Sequence, residues 1–172
     1  LDGCPKTVTG DFNCSRNSLI SLFEGPTEVN DFDCSYNQLK NLSYAPKEVK
    51  GNFDCSNNLI DSVKGMPRTV KGYFNCSTNK IATLKGGPKY VDATFDCSQN
   101  LIDRLTGGPV SVGQDYLCFK NNLTDLDGVA DEIGFDLVSD IRLNHLSSTF
   151  NEEEKTWRYK GSEVISHIYK PI

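Results

Sequence analysis

The sequence has no long hydrophobic run and no excess of positive charge. No stretch of its 172 residues approaches the roughly 18 to 20 continuous apolar residues that a membrane span requires, and no charged segment followed by an apolar one opens the chain. We therefore expect neither membrane association nor export. The 18 Lys and Arg residues against 23 Asp and Glu residues give a net charge of −5. This balance argues against nucleic acid as the main partner, because phosphate binding needs a basic face.

The sequence also lacks the motifs that mark common enzyme sites. It contains no nucleophile elbow, no Gly-rich phosphate loop, no HExxH helix and no evident pair of carboxylates. Only two histidines are present, His145 and His167, and no catalytic constellation surrounds either of them. Zinc binding is not expected, because CxxC pairs and Cys–His pairs are missing. We predict a non-enzymatic protein without a metal or another cofactor.

Cysteine is the residue type whose placement is unusual. Six of the seven cysteines recur at intervals of 20 or 21 residues, which predicts an array of repeats. Each of the six follows an aromatic residue by two positions and precedes an Asn by three. The three columns are Phe12, Phe32, Phe53, Phe74, Phe95 and Tyr116; Cys14, Cys34, Cys55, Cys76, Cys97 and Cys118; and Asn17, Asn37, Asn58, Asn79, Asn100 and Asn121.

Apolar and proline columns complete the repeat. Apolar residues lie two and five positions after each Asn, and a Pro followed three residues later by Val lies beyond them. The Pro–Val pairs are Pro5–Val8, Pro26–Val29, Pro46–Val49, Pro67–Val70, Pro88–Val91 and Pro109–Val112. The register decays after residue 133. We therefore divide the chain into a solenoid at 1–133, with about six coils, and a C-terminal capping segment at 134–172.

The spacing within a repeat predicts its conformation. Aromatic and Cys are separated by one residue, so both side chains point to the same side of an extended segment. Identical strands joined by a coil of fixed length stack in parallel, about 4.8 Å apart. The Asn ends each strand and bonds to backbone groups of the following turn. Pro holds an extended back segment that carries Val inward.

These motifs resemble those of the leucine-rich repeat family. The segment Cys-Ser-Tyr-Asn-Gln-Leu at 34–39 and its five counterparts resemble the LxLxxNxL stretch, with the aromatic residue and Cys in the LxL positions. Leu itself is absent from those strand positions. The repeat length and the Pro-x-x-Val segment are similar to the short bacterial type, and the full pattern is similar to repeat proteins of large tailed bacteriophages. The resemblance implies a leucine-rich repeat solenoid with one short parallel strand per coil and extended or turn back segments. It does not extend past about residue 134, where the residues themselves predict a small α+β C-terminal cap.

The cysteine column is expected to be structural. Free Cys behaves as a small buried hydrophobe, and the parallel Cβ vectors of stacked coils do not provide the dihedral angle of a disulfide. A column of reduced thiols predicts a reducing compartment and hence a cytoplasmic protein. Cys4 stands before Pro5, outside the column, and is expected to be an exposed thiol.

The residues that point outward from the strands are the candidate binding surface. In each repeat these are the residues before the aromatic, between the aromatic and Cys, and the two after Cys. The candidate contact residues are Asp11, Asp31, Asp33, Tyr36, Asp54, Tyr73, Asp96 and Asp115. Basic residues flank the Pro–Val segment instead: Lys6, Lys47, Lys50, Lys64, Arg68, Lys71, Lys85 and Lys89. The acidic face is interpreted either as a docking surface for a basic patch or as a solubilising cover of the sheet.

The C-terminal segment is rich enough in apolar residues to cap the solenoid. We predict a turn or short helix at 152–155, a strand at 156–160 and a helix at 162–169 that begins at an N-cap Ser162. Leu117 and Phe119 point outward and are expected to be covered by this segment. The first repeat is incomplete, which indicates a fragment boundary or further repeats before Leu1.

The sequence therefore favours a protein–protein interaction module. The resemblance to phage proteins implies a host protein as its partner in the host cytoplasm, with a role in host takeover or against host defence. One alternative is a structural component of a virion or an adhesin. A third is an enzyme whose site lies in the C-terminal segment with His145 and His167.

Overall fold

The computed structural model describes residues 1–135 and 137–139, together with the backbone of short strands at 148–151, 156–159 and 168–169. The described residues form strands and turns and contain no helix. The strands are β1 (Phe12–Asn13), β2 (Glu28–Val29), β3 (Phe32–Asp33), β4 (Glu48–Val49), β5 (Phe53–Asp54), β6 (Thr69–Val70), β7 (Phe74–Asn75), β8 (Tyr90–Val91), β9 (Phe95–Asp96), β10 (Ser111–Val112), β11 (Tyr116–Leu117), β12 (Glu132–Ile133), β13 (Leu137–Val138), β14 (Ser148–Asn151), β15 (Thr156–Tyr159) and β16 (Ile168–Tyr169).

The front sheet is a ladder of equivalent strands. Its order is β1-β3-β5-β7-β9-β11-β13-β16, and neighbouring strands are parallel. Each aromatic residue pairs with the aromatic residue of the next repeat, as Phe53 does with Phe74. We number the coils 1 to 6 from the strands β1, β3, β5, β7, β9 and β11. The predicted parallel solenoid is confirmed.

The back of each coil also forms a short parallel ladder. Back strands β2 and β4 pair with each other, and β6, β8, β10 and β12 form a second group. The two groups do not join, because β4 and β6 are not paired. The extended back segments predicted from Pro and Val are thus present, and their ladder is interrupted between coils 2 and 3.

The core consists of stacked columns. The aromatic rings of successive coils lie 5.0 to 5.9 Å apart between centroids. The six column cysteines are buried and free, and the back-segment valines are also buried: Val29, Val49, Val70, Val91 and Val112. The predicted inward orientation of aromatic residue, Cys and Val is confirmed. Burial of these columns between coils supplies the hydrophobic stabilisation that no single coil provides.

The Asn column joins the coils through hydrogen bonds. Asn58 Nδ2 donates to the carbonyl oxygens of Cys55 and Ser56 in its own coil, at 3.2 and 3.1 Å, and to that of Cys34 in the preceding coil at 3.0 Å. Its Oδ1 accepts from the backbone N–H of Leu39 at 3.0 Å. Asn37, Asn79, Asn100 and Asn121 make the same set of contacts. The predicted bonding of Asn to turn backbone is confirmed.

The C-terminal strands differ in part from the sequence prediction. The front sheet continues past residue 133 through β13, and β16 pairs with β13 in register, Ile168 with Leu137. The helix predicted at 162–169 is therefore wrong at its end, because ladder pairing outweighs the local helical pattern there. The strand predicted at 156–160 is confirmed as β15, which pairs antiparallel with β14. The predictions for 152–155 and 162–167 lie outside the described residues.

Candidate binding surface on the strand face

The strand face is built from three outward columns, one residue of each per coil. They are the pre-strand column (Asp11, Asp31, Asn52, Tyr73, Thr94, Asp115), the mid-strand column (Asn13, Asp33, Asp54, Asn75, Asp96, Leu117) and the corner column (Arg16, Tyr36, Asn57, Thr78, Gln99, Lys120). The serines after Cys, which the sequence also placed outward, are buried in coils 2 to 5. That prediction was wrong because the chain turns inward directly after the strand.

The mid-strand carboxylates and amides close this turn. Oδ1 of Asp54 accepts a hydrogen bond from the N–H of Ser56 at 2.8 Å, and Asp96 accepts from Ser98 at 2.9 Å. Asn13, Asp33 and Asn75 make the equivalent contact. An Asx turn of this kind replaces a backbone turn bond. The acidic column therefore has a structural role that neither the docking nor the solubilising interpretation contained.

The pre-strand column forms a second ladder between coils. Oδ1 of Asp11 accepts from the N–H of Asp31 at 3.2 Å, Oδ1 of Asp31 accepts from that of Asn52 at 2.8 Å, and Oδ1 of Asn52 accepts from that of Tyr73 at 3.0 Å. Asp31 Oδ2 also accepts from Asn52 Nδ2 at 2.9 Å. The ladder ends at Tyr73, whose side chain offers no acceptor at this distance from the backbone. Two of the predicted contact residues, Asp11 and Asp31, are thus part of the scaffold.

The mid-strand acids have no positive partner. No Lys or Arg of the described residues forms an ion pair with Asp33, Asp54 or Asp96. Amide donors reach two of them: Asn13 Nδ2 lies 3.2 Å from Asp33 Oδ2, and Asn75 Nδ2 lies 3.1 Å from Asp54 Oδ2. Burial raises the pKa of Asp54, and the neighbouring Asp33 carboxylate adds to the effect. Burial likewise raises the pKa of Asp96.

Two tyrosines rise beside these acids. Tyr36 is 47% exposed, and the Arg16 guanidinium lies 4.3 Å above the centre of its ring. Tyr73 is 38% exposed. The pKa of its phenol is raised, first by partial burial and then by the Asp54, Asp33 and Asp31 carboxylates. Both side chains are therefore accessible to a partner, and the ring of Tyr73 lies beside negative charge.

A depression of about 430 Å³ lies on this face across coils 3 to 6. Its polar lining comprises Asp54, Tyr73, Asn75, Thr94, Asp96 and Gln114. It brings together three of the predicted contact residues, Asp54, Tyr73 and Asp96. Asp11, Asp31, Asp33, Tyr36 and Asp115 do not line it. Asp115 is half-buried beside β11, and Tyr36 stands at the corner of coil 2.

Leu117 and Phe119, at the other end of this face, are both half-buried. Leu117 pairs in the front sheet with Val138 of β13. The covering of this pair by the C-terminal segment stays a prediction, because most of that segment lies outside the described residues.

The two ion pairs of the described residues lie on the back. Lys50 Nζ is 3.2 Å from Glu28 Oε1, and Lys71 Nζ is 3.1 Å from Asp92 Oδ2. All four side chains are well exposed, and surface pairs of this kind add about 0 to 1 kcal/mol each. Both ion pairs of the described residues thus lie on the back, and none lies along the mid-strand column.

An exposed aromatic pair escaped the sequence analysis. Phe23 and Tyr44 lie 5.3 Å apart between ring centroids with an edge-to-face angle of 84°, and both are more than half exposed. Tyr44 has a φ of 67° and Glu24 one of 65°, at a turn position where coils 3 to 6 have Gly. The signal in the sequence was the replacement of that Gly, because side chains other than Gly are disfavoured at positive φ.

Burial keeps the thiols of the cysteine column in the neutral form. Burial raises the pKa of the Cys14 thiol to about 11 and raises those of Cys34, Cys55, Cys76 and Cys97 well above the ordinary value. Thiols held in the neutral form are poor nucleophiles. Cys4 is half-buried. In the described part of the chain, no three His, Cys, Asp or Glu side chains are grouped to hold a metal ion. His145 and His167 lie outside it.

Comparison of the chain with family models, with curated proteins and with solved structures finds no match. The fold therefore defines the class of protein directly: the chain is a parallel β-solenoid of short repeats. Membership of the leucine-rich repeat family stays a prediction from the repeat motif. In the described part of the chain, no helix has the length and apolar character needed to cross a membrane.

Proposed function

We propose that this solenoid is a non-enzymatic protein-binding module whose strand face binds a basic patch on a partner protein. The observation that carries the proposal is the depression in which Asp54 and Asp96 lie beside the exposed ring of Tyr73. No cation of the described residues neutralises these two carboxylates. An Arg or Lys of a partner would supply the missing charge.

The side chains of the depression favour the binding of an Arg or Lys side chain from a partner. Carboxylates that are already partly desolvated lose less hydration when a partner covers them, and charge-assisted hydrogen bonds to a guanidinium are among the strong ones. Tyr73 provides a ring on which a guanidinium can stack. Opposite potentials also speed the encounter of the two proteins.

We further propose the cytoplasm as the compartment, because the column of free thiols is typical of proteins in a reducing environment. If the resemblance to phage repeat proteins holds, the partner is a host protein.

The test compares two doubly substituted proteins with the same change in net charge. The variant Asp54→Asn/Asp96→Asn removes both charges of the depression and keeps the Oδ1 acceptor of each Asx turn, as Asn13 and Asn75 do naturally. The control Asp61→Asn/Asp103→Asn changes exposed residues of the same two coils outside the strands. Partners captured with the wild-type protein are then titrated against both variants.

We expect the strand-face variant to bind its partner about tenfold more weakly or worse, with a salt dependence smaller than that of the wild type. The control should bind as the wild type does. Equal affinity of all three proteins for every captured partner would overturn the proposal.

A further inference from the structure

The back of the molecule has an opening that the proposed function does not use. It lies where the back ladder is interrupted, between β4 and β6, and has a volume of about 280 Å³. Its lining residues are Lys47, Glu48, Val49, Lys50, Pro67, Arg68, Thr69 and Lys71. We call it the back groove.

In the described part of the chain, the interruption leaves backbone N–H groups at β6 and the carbonyls of Lys47 and Val49 at β4 without ladder partners. In the next step of the ladder, Lys89 and Tyr90 both donate their N–H groups to the carbonyl of Arg68, and Asp92 donates to that of Val70. The equivalent donors one coil earlier are the N–H groups of Arg68, Thr69 and Lys71. Among the described residues no backbone acceptor takes them. Exposed backbone N–H groups of this kind form part of many phosphate sites.

Four cations frame these donors. Lys47 and Arg68 stand at the start of β4 and β6, and Lys50 and Lys71 stand three residues later at their ends. A strand of two residues lies between the members of each segment, so the two pairs are separated by at most about 10 Å along the chain. Glu48 is the one acidic residue in the lining. Glu28 and Asp92 pair with two of the cations, so the four cations meet three carboxylates and one positive charge is left uncompensated.

The four cations differ in the ion pairs and hydrogen bonds that they already make within the protein. Lys50 and Lys71 take part in exposed ion pairs, and Lys47 Nζ donates to the carbonyl of Gly65 at 3.1 Å. Arg68 is exposed and makes no ion pair with the described residues. Its guanidinium is the donor best suited to phosphate, which it binds with two parallel hydrogen bonds.

From this arrangement we propose that the back groove binds a linear anion that carries two or more phosphate groups. One phosphate is held by Arg68 and Lys47 and another by Lys50 and Lys71, while the backbone N–H groups of β6 bond to oxygens between them. The spacing of the two cationic pairs favours a chain of phosphates over a single one. This site is separate from the strand face and does not depend on the function proposed for it.

The test is calorimetric titration of the full chain with inorganic tripolyphosphate, with ATP and with orthophosphate at low salt and without divalent cations. We expect one saturable site for tripolyphosphate and at least about tenfold weaker binding of orthophosphate, because a single phosphate meets one cationic pair. ATP that binds no more tightly than tripolyphosphate identifies a site for phosphates alone. Tighter binding of ATP identifies a nucleotide as the source of the phosphates.

Two variants connect the binding to the groove. Arg68→Ala should weaken tripolyphosphate binding about tenfold, whereas Arg104→Ala, an exposed cation in a turn of coil 5, should leave it unchanged. Both proteins should unfold at the wild-type temperature. The proposal is overturned if tripolyphosphate does not bind, or if both substitutions weaken it equally. It is also overturned if sedimentation shows self-association that Arg68→Ala abolishes while no anion binds, because the groove then receives the acidic face of a second copy.

Discussion

At the scale of single residues, Tyr116 is a position at which the repeat is less stable than its own pattern allows. Phe stands in the aromatic column of the first five coils, and Tyr116 places a fully buried hydroxyl at its sixth position. This hydroxyl has no hydrogen-bond partner among the described residues. A Cβ at the neighbouring Gly108 would lie 3.1 Å from it, so the small residue makes room for the extra atom.

We predict that Tyr116→Phe stabilises the protein by about 1 kcal/mol, because a buried unpaired hydroxyl costs roughly 1 to 3 kcal/mol in desolvation. Urea unfolding should show a higher midpoint with an unchanged slope. The converse substitution Phe95→Tyr adds a hydroxyl to the same column and should destabilise. A loss of stability in Tyr116→Phe would show that the hydroxyl has a partner.

The raised pKa of Asp96 predicts that the stability of the folded protein depends on pH through this one side chain. Burial raises its pKa above the ordinary value of 3.8, so the folded protein binds this proton more tightly than the unfolded chain does. The destabilising effect of the charge is therefore complete above the folded pKa, and it is relieved as the pH falls toward 3.8.

Asp96→Asn removes this charge and keeps the acceptor for Ser98. We expect the variant to unfold at a higher denaturant concentration than the wild type at pH 7, and the difference to vanish below about pH 4. Asp61→Asn, at an exposed position, should change stability by less than about 0.5 kcal/mol at either pH. A wild type that is more stable than Asp96→Asn at pH 7 would contradict the assignment.

At the scale of structural elements, the Asn column holds coil to coil as much as the sheet does. Removal of the Asn58 side chain leaves the buried N–H of Leu39 without its acceptor and takes from the carbonyl of Cys34 one of its two donors, the other being Asn37 Nδ2. Asn17 has only the two bonds within its own coil and is exposed. The two residues therefore form a matched pair with the same sequence context.

We predict that Asn58→Ala lowers the free energy of unfolding by about 2 kcal/mol, because one buried group left unpaired costs roughly 1 to 3 kcal/mol. Asn17→Ala should cost about 1 kcal/mol or less. Chemical denaturation of the two variants beside the wild type measures the difference. Equal losses would mean that the bonds between coils contribute nothing beyond the local turn.

At the scale of the whole molecule, the sequence predicts the structural features that all coils share. It does not predict the features in which single coils differ. The period of the Cys column was sufficient for the parallel solenoid, because a fixed coil length allows one way of stacking. It could not place Ser56 or Ser98 correctly, since their burial depends on the turn that Asp54 and Asp96 close after the strand. The interruption between β4 and β6 is invisible in the sequence, because both coils carry the same Pro and Val. The pairing of β16 with β13 joins segments about 30 residues apart, which no local pattern reports.

Excision of one complete coil tests the solenoid as a unit. Deletion of residues 54–74 joins Phe53 to Asn75 and keeps aromatic, outward residue and Cys in sequence, so the front and back ladders can close again. Each coil contacts mainly its neighbours. We therefore expect a folded, less stable protein whose denaturant slope is smaller by about one sixth, because that slope scales with the surface exposed on unfolding.

Deletion of residues 54–75 is the control. It joins Phe53 directly to Cys76, and adjacent residues of a strand point to opposite faces. One of the two side chains must then leave the core, and we expect this protein to lose its cooperative unfolding transition. Equal stability of the two deletions would show that the alternation of the strand does not determine the register of the coils.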